Sequence, residues 1–253
     1  MLLMPATDES SQEFAKLTVL GILGFHLIPG AVFTALLIFL SRFFIQHGLT
    51  AYLAELLLIP ACLVPMLVGT MLVSAKRSGS RLSLGRLIGY RSPGTLGDYV
   101  GWPIVLFLCW ALASLAVIPL SGRLEAWYLT WFPAQLGNHA LVSGVVSSPS
   151  AQRRVTLVLA VLLSGLLAPL VEEAYFRGFL LPRMKHLGWL APVLSAFLFG
   201  LYHFFAPWGL PVIFVAFLPI AFVVQARQNF RIGVVVHAMF NLVGVLTMFA
   251  SSA

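Results

Sequence analysis

Long hydrophobic stretches dominate the chain and are separated by short polar segments. A transmembrane α-helix needs about 20 predominantly apolar residues to cross the hydrocarbon core of a bilayer. Pro29-Gly30 interrupts the first stretch, and the sixth is short and contains Pro211 and Pro219. The pattern predicts an all-α, polytopic transmembrane helical bundle of about seven (six to eight) spans. The stretches lie near residues 18–45, 50–75, 99–120, 155–176, 188–206, 209–226 and 232–250.

The composition agrees with this pattern. The 253 residues are 60% hydrophobic and 9% charged, with a mean hydropathy of +0.98, whereas a soluble domain carries about a quarter charged residues. The net charge of +7 indicates basic loops beside anionic lipid headgroups. Because the basic residues are not interleaved with aromatic ones, we expect the lipid bilayer as a partner and no nucleic acid.

The distribution of basic residues predicts the topology. The 76–98 loop carries five of them, Lys76, Arg77, Arg81, Arg86 and Arg91. Placing this loop in the cytoplasm puts 11 of the 15 Lys and Arg residues, Arg177 among them, on the inner side. The N-terminal residues lack the basic-then-apolar pattern of a signal peptide. We therefore expect a multi-pass protein of a prokaryotic cytoplasmic (inner) membrane with a cytoplasmic N-terminus.

The sequence shows no internal repeat, so a single integral membrane domain over residues 1–253 is the simplest interpretation. Residues 1–150 form N-terminal helices whose role the sequence leaves open. Residues 155–245 form a core that contains the unusual polar positions described next.

Three charged residues stand in VEEAYFRGFL, at the end of an apolar run. Removing unpaired charges from water costs several kcal/mol, so such residues need partners or a function. In a helix, Glu172 and Glu173 point about 100° apart and cannot easily share one role. Glu173 and Arg177 are spaced i, i+4 with the acid first, which favours an ion pair. Glu172 is then left without a local partner.

Two later segments also carry polar residues in apolar surroundings. FLFGLYHFF contains His203 with Phe199 one turn earlier, and VVVHAMFNLVG contains His237 and Asn241 at i, i+4. A carboxylate can act as a general base toward water, beside an orienting imidazole. A second imidazole and a carboxamide can stabilise an oxyanion. This set suits peptide-bond hydrolysis.

Non-catalytic interpretations are open at this point. Buried His and Asn side chains commonly join transmembrane helices through hydrogen bonds. On these interpretations the chain is a membrane scaffold or immunity protein, or a small transporter with Glu172 as a proton site.

The motifs resemble a known family. EEAYFRG resembles the EExxxR motif, FGLYH the FxxxH motif and HAMFN the HxxxN motif of the CAAX protease and bacteriocin-processing (CPBP, or ABI) family of intramembrane glutamic endopeptidases. The chain is similar in this respect to type II CAAX prenyl endopeptidases. The three motifs occur in the family's order, and the resemblance covers about residues 155–245.

The resemblance implies a membrane endopeptidase (a peptide hydrolase) that acts on a membrane-anchored or transmembrane protein. Glu172 is then the base that activates water with His203 beside it, and His237 and Asn241 form the oxyanion hole. Candidate substrates are a prenylated C-terminus, a bacteriocin leader and a C-terminal sorting tail. The resemblance assigns supporting roles to Glu173, Arg177 and Phe199.

We expect no cofactor and no catalytic metal, although a zinc-dependent membrane protease is the alternative. Glu172, His203 and His237 could supply the three protein ligands that a catalytic zinc needs, but the sequence contains no HExxH motif.

The depth of His203 conflicts with this assignment. With straight helices at the predicted boundaries, His203 lies about 22 Å from the inner edge, whereas Glu172 and His237 lie nearer to it. The conflict disappears if residues 178–190 continue along the interface, so that His203 sits deeper. The Pro207–Pro211 region is then expected to be a kink rather than a loop.

Overall fold

The structure is a computed structural model that describes residues 16–77 and 87–250. In chain order the helices are α1 (Val19–Gln46), α2 (Ala51–Arg77), α3 (Gly97–Tyr128), α4 (Asn138–Ser147), α5 (Ser150–Arg183), α6 (Leu190–Tyr202), α7 (Pro207–Arg227) and α8 (Phe230–Ala250). Over the described ranges, six of them are long and apolar enough to cross a membrane, and α4 and α6 are shorter. The predicted all-α polytopic bundle is confirmed.

Two predictions concern residues outside the described ranges. They are the absence of a signal peptide, which concerns residues 1–15, and the placement of Arg81 and Arg86 in the 78–86 segment.

Local sequence signals explain where the first helices begin. The Thr18 hydroxyl accepts a hydrogen bond from the Gly21 amide at 3.2 Å, and Thr50 caps α2 in the same way. A turn with Gly48 at φ +74° joins the two helices. Pro29-Gly30 does not divide the first span, since α1 is a single helix through these residues.

Helix α5 is not a regular α-helix throughout. Residues Ala160–Leu167 and Ala174–Leu180 adopt π-helical hydrogen bonding on either side of the α-helical turn Ala168–Glu173. π-Helical segments are rare and occur frequently at functional sites.

Segments predicted to share the inner side meet at one end of the bundle, which we call the basic end. The Arg183 guanidinium donates to the Leu87 carbonyl at 3.2 Å, and the Gly89 amide donates to the Gly178 carbonyl at 2.8 Å. The Phe230 amide donates to the carbonyl of Tyr90 at 2.9 Å. The loop before α3, the end of α5 and the start of α8 are therefore joined.

Arg177 does not occupy the usual position of a basic residue at a membrane surface. The distribution of basic residues places it on the inner side, but its side chain is fully buried inside the bundle. The reason is that partners on its own and other helices compensate its charge there, as described below.

The end of α5 resolves the conflict over depth. The predicted span ended at residue 176, but α5 continues to Arg183, so Glu172 lies about 16 Å from that end of the helix. His203 directly follows α6, about 20 Å from its start at Leu190. The expected kink at Pro207–Pro211 was wrong, because the chain leaves α6 at His203, turns, and begins α7 at Pro207 with a 3₁₀ turn.

Candidate active site

Glu172 lies on α5 and points toward α6 and α8. Its side chain is only 5% exposed. Oε1 accepts a hydrogen bond from the Tyr202 hydroxyl at 3.0 Å, and Oε2 lies 3.7 Å from Nε2 of His237. The carboxylate that has no partner on its own helix therefore faces partners on two others.

Glu173 forms the ion pair that its spacing predicts, and the pair has a third member. Glu173 Oε1 lies 3.1 Å from Nη1 of Arg177 and 3.2 Å from Nδ1 of His237. All three side chains are buried. The pair is thus not self-contained, because it also holds the imidazole of α8.

His237 lies between the two carboxylates. Since the Glu173 carboxylate accepts from Nδ1, the opposite ring nitrogen, Nε2, is directed at Glu172. The separation of 3.7 Å between Nε2 and Glu172 Oε2 is too long for a direct hydrogen bond. It is a separation at which both atoms can reach one water molecule.

Aromatic rings enclose the guanidinium of Arg177. Its Cζ lies 4.1 Å from the ring centroid of Phe199 and 4.8 Å from that of Phe217. A buried guanidinium is costly unless it is paired, and contact with an aromatic face adds a cation–π attraction. Arg177 therefore ties Glu173 to α6 and α7.

His203 lies beside this cluster rather than in it. Its Nδ1 donates to the carbonyl of Phe199 at 2.8 Å, which leaves Nε2 as an acceptor. The ring contacts Phe199 and Tyr202, with centroids 4.9 Å and 5.0 Å away. In the described part of the chain it makes no hydrogen bond to Glu172 or His237.

Asn241 follows His237 by one turn of α8. Its Nδ2 donates to the Ser164 carbonyl at 2.8 Å, in the first π-helical segment of α5. A carboxamide has two N–H donors, so the second remains available on the face that His237 also occupies. The helix that carries Glu172 thus also orients the amide.

A metal-ligand set is not formed by these residues. Over residues 16–77 and 87–250, no three His, Cys, Asp or Glu side chains are grouped so that they could hold a metal ion. Glu172, His203 and His237, the ligands of the zinc alternative, are not arranged as such a set.

Three residues of the site were not found in the sequence. Tyr202 shares a face of α6 with Phe199, and this spacing could have indicated it. Phe217 has no local signal, since it is one of many apolar residues of α7. Gly233 lies one turn before His237, and a methyl group there would overlap Oε2 of Glu173.

The comparisons with known proteins concern the same part of the chain. Residues 154–243 match a family model described as type II CAAX prenyl endopeptidase Rce1-like. No curated protein and no solved structure matches the chain. The matched segment contains all three motifs, so the resemblance is confirmed. It supports a CAAX-type membrane protease at the level of the family.

Proposed function

We propose that this protein is an intramembrane endopeptidase that hydrolyses a peptide bond of a membrane-associated protein with water activated by Glu172. One observation carries the proposal. Oε2 of Glu172 and Nε2 of His237 lie 3.7 Å apart in a buried site. A base and a second polar group thus lie at a separation that one water molecule can bridge.

The charges of the cluster support a polar reaction inside the bundle. With Glu172 as a carboxylate and His237 as an imidazolium, the cluster of Glu172, Glu173, Arg177 and His237 has no net charge. A neutral set of close charges avoids the large cost of burying an uncompensated ion. The proposed reaction uses His237 as an imidazolium, in which Nδ1–H donates to Glu173 and Nε2–H is available to the oxyanion.

The proposed reaction assigns one step to each side chain. Glu172 takes a proton from water as the oxygen attacks the carbonyl carbon of the scissile peptide bond. His237 and Asn241, on one face of α8, donate hydrogen bonds to the oxyanion that forms. Glu172 then returns the proton to the leaving amine. Both oxygens of the tetrahedral intermediate are bonded to one carbon. Glu172, which acts on one oxygen, and His237 and Asn241, which donate to the other, must therefore lie only a few ångströms apart.

We assign His203 a contact with the attacking water or the substrate, from the side of α6. Its free Nε2 can accept a hydrogen bond from water or from a substrate amide, because Nδ1 is held by Phe199. Glu173, Arg177 and Phe199 keep these groups in place. We infer no metal in the reaction.

The test is cleavage of a membrane-tethered peptide library by purified protein in detergent. Wild type and Glu172→Gln are compared with and without a strong chelator. We expect cleavage by wild type alone, unaffected by the chelator. Cleavage by both proteins would overturn the role of Glu172, and loss of wild-type cleavage with the chelator would favour the zinc alternative.

A further inference from the structure

Helix α1 lies outside the segment that matches the family model, yet it contacts the helices of the candidate site. The Tyr175 hydroxyl donates to the carbonyl of Phe25 at 2.9 Å. The ring of His26 lies 5.5 Å from that of Phe176. One further contact of α1, through Gly30, leads to Glu172.

Gly30 lies against the backbone and ring of Tyr202. A methyl group at Gly30 would overlap the carbonyl oxygen of Tyr202 and lie 2.8 Å from Cδ2 of its ring. A side chain at this position would have to displace Tyr202, because backbone atoms cannot move aside as a flexible side chain can. Only glycine permits this approach of α1 to the end of α6.

Tyr202 is held on its other sides by aromatic rings. It is 1% exposed, and its ring lies 5.0 Å from that of Phe176 and 5.8 Å from that of Phe199. Its hydroxyl donates to Oε1 of Glu172 at 3.0 Å. A ring fixed on these sides fixes the direction of this hydrogen bond.

The hydrogen bond determines which carboxylate oxygen is free. Since Tyr202 occupies Oε1, the remaining oxygen of Glu172 is the one directed at His237. Without the phenol, rotation about the terminal bond of the side chain would no longer be restricted on that side, because this torsion is intrinsically broad.

We propose that Tyr202 is a positioning residue for Glu172 and that Gly30 of α1 sets the place of Tyr202. The effect of Tyr202 on catalysis rests on the proposed function. Its effect on the orientation of the Glu172 carboxylate does not. The proposal gives the first helix, whose role the sequence leaves open, a direct part in forming the site.

The first experiment compares Tyr202→Phe with Tyr175→Phe. Each substitution removes one buried phenolic oxygen that donates one hydrogen bond, of 3.0 Å and 2.9 Å respectively, but only that of Tyr202 ends on Glu172. We expect Tyr202→Phe to lower kcat about tenfold with KM unchanged, as for the loss of one hydrogen bond to an ionised group. Tyr175→Phe should leave kcat unchanged. Equal kcat values for the two variants would contradict the proposal.

The second experiment compares Gly30→Ala with Gly24→Ala in the same helix. At Gly24 the nearest neighbour of an added methyl group is Cδ1 of Ile28 at 3.6 Å, an ordinary contact. We expect Gly30→Ala alone to lower kcat. In a Tyr202→Phe background, Gly30→Ala should lower kcat by a smaller factor, because the link to Glu172 is already broken. Full additivity in this double-mutant cycle would show that Gly30 acts by another route.

A spectroscopic measurement separates this inference from the proposed function. In infrared difference spectra of the purified protein, the band of Glu172 is the one that Glu172→Gln removes. We expect Tyr202→Phe to shift this band and Tyr175→Phe to leave it in place. A shifted band without cleavage of any library peptide would overturn the proposed function and support the inference. An unshifted band in folded Tyr202→Phe protein would overturn the inference, whatever the protein cleaves. If Gly30→Ala does not fold, the comparison of Tyr202→Phe with Tyr175→Phe still tests the inference.

Discussion

Nδ1 of His237 lies 3.2 Å from Oε1 of Glu173. This contact directs the other ring nitrogen, Nε2, at Glu172, the neighbouring residue on α5. The second glutamate of the EE pair thus orients the imidazole and balances the charge of Arg177.

Glu173→Gln should lower both stability and activity. The change removes the ion-pair partner of the buried Arg177 guanidinium, a loss that costs about 3 kcal/mol in other proteins. It also replaces the carboxylate that accepts from Nδ1 of His237 by a neutral amide. The measurement is thermal unfolding in detergent together with the cleavage rate. Glu125→Gln is the control, since this carboxylate is only partly buried and accepts hydrogen bonds from Asn138 at the other end of the bundle.

Gly233→Ala should lower the cleavage rate about 100-fold, the scale expected when a catalytic group is displaced by about 1 Å. The added methyl group would overlap Oε2 of Glu173 and so push the carboxylate away from His237. Gly244→Ala on the same helix is the matched control, because an added methyl group has no neighbour there within 4 Å. Equal rates for the two variants would show that the position of Glu173 does not matter.

Arg177→Lys should destabilise the protein by about 2 kcal/mol, although the charge is kept. A planar guanidinium fits between the rings of Phe199 and Phe217, and a compact, strongly hydrated ammonium does not. Arg231→Lys is the control, since that guanidinium contacts Phe230 at the edge of the bundle, 5.8 Å from its centroid. A similar loss of stability in both variants would contradict a special role for the enclosed site.

The orientation of the bundle is tested with single cysteines in a chain whose Cys62 and Cys109 are replaced by alanine. His47→Cys and Lys185→Cys place an exposed thiol at opposite ends. If the basic end is cytoplasmic, an impermeant thiol reagent should label His47→Cys in intact cells and Lys185→Cys only after lysis. The reverse labelling would invert the topology.

Much of this organisation can be predicted from the sequence, for physical reasons. A bilayer demands long apolar helices, so hydropathy alone indicates the spans. Polar residues within them must face other helices, and this requirement singles out Glu172, Glu173, His237 and Asn241 from the sequence alone.

The remaining features depend on contacts that no local pattern encodes. The predicted end of α5 was too early because a charge such as Arg177 usually marks a helix end, whereas here rings of α6 and α7 enclose it. The hydrogen bond between Tyr202 and Glu172 joins residues 30 positions apart. The π-helical segments of α5 have the same apolar composition as the α-helices, so the sequence gives no sign of them.

The most direct test of the central claim is the cleavage rate of Glu172→Gln relative to wild type on the first peptide that the library identifies. Glu55→Gln is the matched control, since Glu55 also lies within a span, on α2. We predict that Glu172→Gln abolishes cleavage while the protein stays folded, and that Glu55→Gln cleaves at the wild-type rate. Cleavage by Glu172→Gln at the rate of Glu55→Gln would contradict the proposal that Glu172 activates the water.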